Sequence, residues 1–178
     1  MCQAHRQQYG FDAISAMPTN LFGPNDNFDP EKSHVLPGMI SEAIRICVNN
    51  DLREKNDIEI VVWGTGTPSR EFLHCDALAD AALFFMQNYS DPSHIKVGSG
   101  KEITMKQLAE LVKEMVGFEG EIQYDPSKPD GTMKKLLDSS KLVAMGWDPK
   151  IKFKEDLVDA YQRYLDNFEV EDFLTCSD

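Results

Sequence analysis

His34, Arg70, Lys134 and Lys135 are the side chains whose types and settings offer this chain chemistry. An imidazole titrates near neutral pH, so His34 can give or take a proton beside a carbonyl, as an epimerisation requires. A histidine just ahead of a helix is more often structural, and that reading stands beside the chemical one. Arg70 carries a permanent charge on a planar fork that pairs bidentately with phosphate oxygens. Its plainer use is a salt bridge with a neighbour such as Glu71. Lys134 and Lys135 follow a loop that contains Gly131. Adjacent lysines usually form a solvated patch, but a lysine that reaches into a cleft neutralises a diphosphate.

These side chains need elements to hold them. The apolar run Ala13–Met17 empties into Pro18-Thr19-Asn20-Leu21-Phe22-Gly23-Pro24 and a cluster of Asn and Asp, the pattern of a buried strand leading into a long irregular loop. A parallel strand is expected over Phe11–Met17. Open α/β sheets bind ligands outside the carboxyl ends of their strands, so the amides and carbonyls of Thr19, Asn20 and Leu21 are expected to face one. Upstream, MCQAHRQQYG reads as the end of a helix capped by Gly10. Downstream, Ser33 is expected to cap a helix with Pro37 near its first turn and Met39, Ile40, Ala43, Ile44 and Cys47 along one face.

Ile58–Trp63 reads as a β-branched strand, Gly64–Pro68 as a turn and Arg70–His74 as a second strand. Gly64-Thr65-Gly66 lacks the lysine and hydroxyl of a phosphate loop, and no helix follows directly, so it is read as a turn. Asp76 is expected to cap a helix through Phe84, Phe85 and Met86. Ile95–Val97 is a short strand turned by Gly98-Ser99-Gly100. Thr104 and Gln107 stand at capping-box spacing before a helix with Met105, Leu108, Leu111, Val112 and Met115 on one face and Gly117 beyond its end. Ile122–Tyr124 follows as an edge strand and Asp125–Met133 as a polar loop. A short helix over Ser139–Met145 stops at Gly146. The last helix, Lys154–Phe168, packs through Leu157, Tyr161, Tyr164, Leu165 and Phe168. The acidic tail after Glu169 is expected to fray. His74 sits in an apolar-flanked strand context and His5 and His94 lack a motif, so all three are read as structural.

At 178 residues and 42% apolar content the chain fits one domain with a real core. A formal charge of −12 argues against a nucleic-acid footprint. No run approaches a membrane span and the first residues lack a signal-peptide pattern, so a cytoplasmic location is expected. Cys2, Cys47, Cys75 and Cys176 form no C-x-x-C pair, which fits reduced thiols better than disulfides or a metal site.

Three ordered strings add a family likeness. PTNLFGPNDNF (18–28) with SHVLP (33–37), VVWGTGTPSREFLH (61–74) and DPSKPDGTMKKLLD (125–138) resemble the GDP-L-fucose synthase family of extended short-chain dehydrogenases/reductases. The likeness covers nearly the whole chain. It implies an α/β fold, the C-terminal part of a Rossmann-like extended short-chain dehydrogenase/reductase with a small mixed α/β substrate-binding domain. Residues 1–22 are then the tail of a dinucleotide-binding domain. Residues 23–168 are mainly the substrate-binding domain, with one strand returning to the sheet near 94–98, and 169–178 are an acidic tail.

The resemblance also implies NADPH as cofactor and a GDP-sugar as substrate, GDP-4-keto-6-deoxy-D-mannose, epimerised at carbons 3 and 5 and then reduced at carbon 4. On this likeness His34 is the acid of the epimerisation, its cysteine partner lying upstream of this chain. Pro18, Thr19, Asn20 and Leu21, with His34, meet the nicotinamide end of the cofactor. Trp63, Arg70, Asp130 and Lys135 bind the GDP-sugar, Arg70 and Lys135 at the diphosphate and Asp130 at a ribose or sugar hydroxyl. The match departs at Phe22, where the family has tyrosine, at Met133 and Lys134, where it has proline and arginine, and near Glu42, where it often offers a basic residue.

Two expected signatures are missing: residues 1–10 hold no Tyr-x-x-x-Lys pair, and the chain has no glycine-rich dinucleotide fingerprint. The chain therefore reads as the carboxyl-terminal half of an enzyme, inactive alone and completed by an N-terminal half. The family's dimer helix is cut in this reading, so homodimerisation does not carry over. The strand at Phe11–Met17 is expected to show an exposed apolar edge. Two other readings stay open: a nucleotide-sugar epimerase or dehydratase with a UDP, dTDP or CDP substrate, and a noncatalytic nucleotide-sugar-binding module.

Overall fold

A computed structural model describes residues 1–29, 32–50, 59–150 and 152–166, the side chains of 47–50 excepted. Its elements run α1 (Cys2–Tyr9), β1 (Ala16–Pro18), β2 (Asn20–Phe22), α2 (Val35–Asn50), β3 (Glu59–Trp63), β4 (Ser69–His74), α3 (Cys75–Asn88), β5 (Ile95–Val97), β6 (Glu102–Thr104), α4 (Met105–Val116), β7 (Glu121–Asp125), β8 (Lys134–Lys135), α5 (Ser140–Ala144) and α6 (Phe153–Asp166). Among the described residues no helix is long and apolar enough to cross a membrane.

The strand β4 organises the sheet. It lies parallel to β2 through Phe72, Leu73 and His74, antiparallel to β6 through Ser69, Arg70 and Glu71, and parallel to β8 at Ser69 and Arg70. Two smaller parallel pairs stand beside it, β1 with β5 and β3 with β7. From Glu71 to His74 every residue of β4 is buried, as a strand covered on both faces must be. Successive side chains point to opposite faces, and the two cores follow from that alternation. Phe72 enters a cluster with Ile40 and Ile44 of α2, Val62 of β3, Leu108 of α4 and Leu157 of α6. Leu73 enters the other, with Phe85 of α3, Ile95 and Val97 of β5, Leu142 of α5 and Trp147. Each such fully buried side chain stabilises the fold by about 1.5–3 kcal/mol.

Local signals close most helices as read. The Thr104 hydroxyl accepts from the Gln107 amide at 3.1 Å while the Gln107 side chain accepts from the Thr104 amide at 3.0 Å, and Gly117 turns left-handed at φ 73 to end α4. Gly10 caps α1 by donating to the Arg6 carbonyl at 3.0 Å.

Three expectations are corrected. The strand expected over Phe11–Met17 forms only at Ala16–Pro18, because a ladder needs a partner and β5 begins at Ile95, opposite Ala16. The helix expected to start from Ser33 starts one residue later, with the His34 carbonyl accepting from the Gly38 amide at 2.9 Å. Asp76 does not cap α3: the His74 imidazole, held extended at the end of β4, accepts from the Asp76 amide at 3.3 Å. Asp76 sits instead in the first turn, where a carboxylate suits the helix dipole. Strands β2, β6 and β8 were not anticipated. Among the described residues β1 pairs with β5 alone and its Met17 is exposed, while Phe11, expected in the same strand, is exposed outside it. Ile58, the Cys47 side chain, Phe168 and the acidic tail lie outside the described residues.

Candidate functional site

A cavity of about 690 Å³ opens at the carboxyl ends of β2 and β4, lined by Thr19, Asn20, Leu21, His34, Phe72 and Cys75 among others. Parallel strands bring their carboxyl ends to one rim, so the loop after β2 and the start of α2 meet there. Gly38 lets the loop close on the first turn of α2, since a Cβ at that position would stand 2.7 Å from Ser33 Oγ. The structure thus gathers His34 with Thr19, Asn20 and Leu21. Pro18 does not line the cavity; it pairs with Val97 in the β1–β5 ladder.

The Thr19 amide, expected to face a ligand, is committed elsewhere. It donates to the Val97 carbonyl at 3.0 Å, and the Thr19 hydroxyl donates to the Glu71 carbonyl at 3.1 Å. The Asn20 side-chain Nδ2 donates to the same Glu71 carbonyl at 2.8 Å. His34 is exposed, and its side chain has no hydrogen-bond partner among the described residues.

Cys75 was missed. Burial first, then the charge of Asp76, pushes its thiol above the ordinary thiol range, so it enters the cavity protonated. The signal was its place directly after the β4 strand, at the ligand-facing end of a parallel pair. Neighbouring His74 is buried. Its Nδ1 is occupied by helix capping, its Nε2 has no partner among the described residues, and the Phe22 ring meets it edge-on at 5.4 Å. His74, Cys75 and Asp76 each bring one ligand atom within 4.8 Å of the others. With Nδ1 capping α3 and the thiol protonated, that trio is poorly prepared for a cation.

Trp63, Arg70, Asp130 and Lys135 come together around the 125–135 loop. Arg70 and Lys135 face each other in the β4–β8 register. Arg70 Nη1 donates to the Ser69 carbonyl at 2.8 Å and to the Thr132 carbonyl at 2.5 Å. The Asp130 carboxylate accepts from the Thr65 amide at 2.6 Å and the Thr65 hydroxyl at 2.8 Å. Gly64, at φ 85, is held against Asp130 so closely that a Cβ would collide with the carboxylate. The Gly64–Pro68 turn is therefore a cradle for Asp130. Trp63 is 68% exposed at the end of β3, with Lys128 Nζ 5.4 Å from its ring centroid.

The two lysines differ. Lys134 pairs with Glu102 at 2.9 Å, and hydrogen bonds from Lys134 and then Ser69 hold the Glu102 carboxyl below its ordinary range. Lys135 has no side-chain partner among the described residues, which leaves it the available cation. The Arg70–Glu71 salt bridge considered from sequence does not form, because adjacent residues of a strand face opposite sides. Glu71 is fully buried. Its carboxylate accepts from the Ser99 hydroxyl at 3.3 Å, the Gly100 amide at 2.7 Å and the Leu137 amide at 2.9 Å.

A cavity at the carboxyl ends of parallel strands in a Rossmann-like sheet is the setting of a nucleotide-dependent α/β enzyme. Residues 1–98 match the model of the NAD dependent epimerase/dehydratase family, and the chain belongs to that family. It is 59% identical over 167 residues to a probable GDP-L-fucose synthase 1 of Oryza sativa subsp. japonica, a match covering 94% of this chain and 49% of that protein. It is 40% identical to the GDP-L-fucose synthase of Escherichia coli strain K12, covering 94% and 53%. The solved structure of a GDP-L-fucose synthetase from Naegleria fowleri bound to NADP resembles it with a TM-score of 0.79 at 32% identity, over 88% of this chain and 48% of that one. The chain spans about half the length of the curated relatives it matches. The extended short-chain dehydrogenase/reductase fold and the GDP-L-fucose synthase likeness read from the three strings both stand. The NADP of that solved relative agrees with the NADPH expected for the parent family.

Proposed function

We propose that this chain forms the substrate side of an NADPH-dependent GDP-4-keto-6-deoxy-D-mannose 3,5-epimerase-4-reductase, the activity that makes GDP-L-fucose. One observation carries the reading: a cavity at the strand ends joins His34, exposed and without a side-chain partner among the described residues, to Thr19, Asn20 and Leu21, while the same strand β4 that lines it bears Arg70 opposite Lys135. Its volume of about 690 Å³ lies within the range of small-molecule sites, and in this reading Asn20 and Leu21 on its wall meet the nicotinamide end of the cofactor. When bound, NADPH supplies the hydride that reduces carbon 4.

The chain's own residues do the rest of the work on this side. A base supplied by the N-terminal half takes the proton beside the carbon 4 ketone and leaves an enolate, and His34 gives its own proton to that carbon from the opposite face, which inverts the configuration. Arg70 and Lys135 neutralise the diphosphate, Trp63 lies against the nucleotide sugar, and Asp130 keeps acceptor capacity for a hydroxyl beyond its two bonds from Thr65. Residues 1–22 act as the tail of the dinucleotide-binding domain and 23–168 mainly as the substrate domain, in a cytoplasmic protein. The Tyr-x-x-x-Lys pair comes from an N-terminal half, so the chain alone binds but does not turn over.

The test is calorimetric titration with GDP, GDP-fucose and UDP-glucose. GDP-selective binding that disappears in Arg70→Ala supports the reading. Preference for UDP-glucose overturns it in favour of another nucleotide-sugar epimerase, and NADPH-dependent turnover by the pure chain overturns the incompleteness.

A further inference from the structure

We infer that Glu71 is a positioning residue that sets Lys135 for a diphosphate, an inference that rests on the reading of Lys135 given above. Glu71 is fully buried, yet no lysine or arginine pairs with it among the described residues. A buried carboxylate without a cation is costly unless hydrogen bonds hold its charge. Here three donors converge on it from two segments far apart in sequence. The Ser99 hydroxyl and Gly100 amide meet Oε1, and the Leu137 amide meets Oε2.

The surroundings are built for an anion. Donors approach both oxygens, and only a carboxylate accepts at both; a glutamine accepts at one and donates at the other. Gly98 leaves the space, since a Cβ there would collide with the carboxylate. The Leu137 bond fixes the chain two residues beyond Lys135, just past the β8 register in which Lys135 faces Arg70. The main-chain carbonyl of Glu71 meanwhile accepts from Thr19 and Asn20 at the cavity wall. One residue thus ties the lysine strand to the strand that lines the cavity. Its own carboxylate faces away from the neighbouring Arg70, so it acts on a ligand only through the segments it holds.

Replacing Glu71 with glutamine keeps the shape but sets an N–H donor against one of the two amides. The Ser99 hydroxyl has one proton and the Lys101 carbonyl in reach at 3.1 Å, so the choice falls to the two amides; the Gly100 bond at 2.7 Å is shorter than the Leu137 bond at 2.9 Å, so the glutamine oxygen keeps Gly100, and the nitrogen settles opposite Leu137 and releases the Lys135 segment. The experiment is a double-mutant cycle on the full chain, with Glu71→Gln, Lys135→Ala and both together, titrated with GDP and with guanosine. We expect Glu71→Gln to weaken GDP about tenfold and guanosine by less than about twofold, and to leave GDP affinity nearly unchanged when Lys135 is already alanine. Equal loss for both ligands, or the same loss with and without Lys135, overturns the positioning role. If Lys135→Ala leaves GDP affinity intact, or the unsubstituted chain does not bind GDP, the nucleotide-site reading fails instead. Amide hydrogen exchange decides the anchoring without a ligand. Leu137 exchanges faster in Glu71→Gln while Gly100 stays protected, and unchanged Leu137 exchange overturns the inference. Should Glu71→Gln not fold, Leu137→Pro deletes the same donor, leaves Glu71 its other two, and is expected to show the same GDP-specific loss.

Discussion

The cavity around His34 and the rim around Arg70 handle their polar groups in opposite ways. In the cavity the chemical group is open: His34 is exposed and has no side-chain partner among the described residues, while Thr19 and Asn20 are bonded to Val97 and Glu71. At the rim Arg70 and Asp130 are already engaged with their own loops, at Thr132 and Thr65. A group that must move a proton gains from having no competing partner. A group that must present charge to a phosphate gains from being held in place before the ligand arrives. The same strand serves both, with Arg70 at its start and Phe72 on the cavity wall.

That contrast can be broken, beginning where the expected effect is greatest. Arg70→Ala removes both a cation and the tie to Thr132, and GDP affinity by calorimetry should fall about 10- to 100-fold; a loss under threefold would mean the rim does not carry phosphate. Asp130→Ala frees the Gly64–Pro68 turn, so thermal unfolding should drop by about 2–4 °C with a smaller, severalfold loss of GDP binding. An unchanged midpoint would show that the cradle is not a constraint.

Cys75 tests the cavity by pH. Its folded pKa is raised by burial and by Asp76, so the fold favours the neutral thiol. The associated stabilisation is complete below the unfolded pKa and is lost as pH rises through the folded value. Alkylation of Cys75, followed site by site by mass spectrometry, should therefore reach half its maximal rate at a higher pH than a free cysteine; a midpoint at or below that of free cysteine contradicts the burial. The smallest effect is expected at His34. His34 is exposed and has no side-chain partner among the described residues, so His34→Ala should change unfolding stability by less than about 0.5 kcal/mol, and a larger loss in denaturant titration would show that the imidazole is structural after all.

Much of this was legible from local pattern. The capping box at Thr104 and Gln107, the glycine stops at Gly10 and Gly117 and the buried run of β4 each follow from chemistry within a few residues. The candidate site was legible only where a motif string stood in for three-dimensional knowledge. Glu71 read as a partner for Arg70 because the two are adjacent in sequence, and strand alternation sends them to opposite faces. By residue type alone Lys134 and Lys135 were equivalent and only the family likeness favoured Lys135; in the structure Glu102, 32 residues away along the chain, takes Lys134. The cap of α3 shifted from Asp76 to His74 because an imidazole at a strand end reaches an amide that composition cannot rank.

What the sequence determined by itself is therefore the six described helices, the strands β3, β4, β5 and β7 and the identity of the chemical groups, since periodicity, capping and turn preferences act over one or two turns of chain, whereas the short strands β2, β6 and β8 exist only through their distant partners. What only the tertiary structure decided is which of those groups are free. The parallel pairing of β2 with β4 brings His34, Cys75 and Asn20 to one cavity, and the pairing of β8 with β4 sets Lys135 beside Arg70 while Glu71 turns inward to hold both segments. Hydrogen bonds and charges act through space, and spacing along the chain does not reveal which distant donor will reach a given carboxylate.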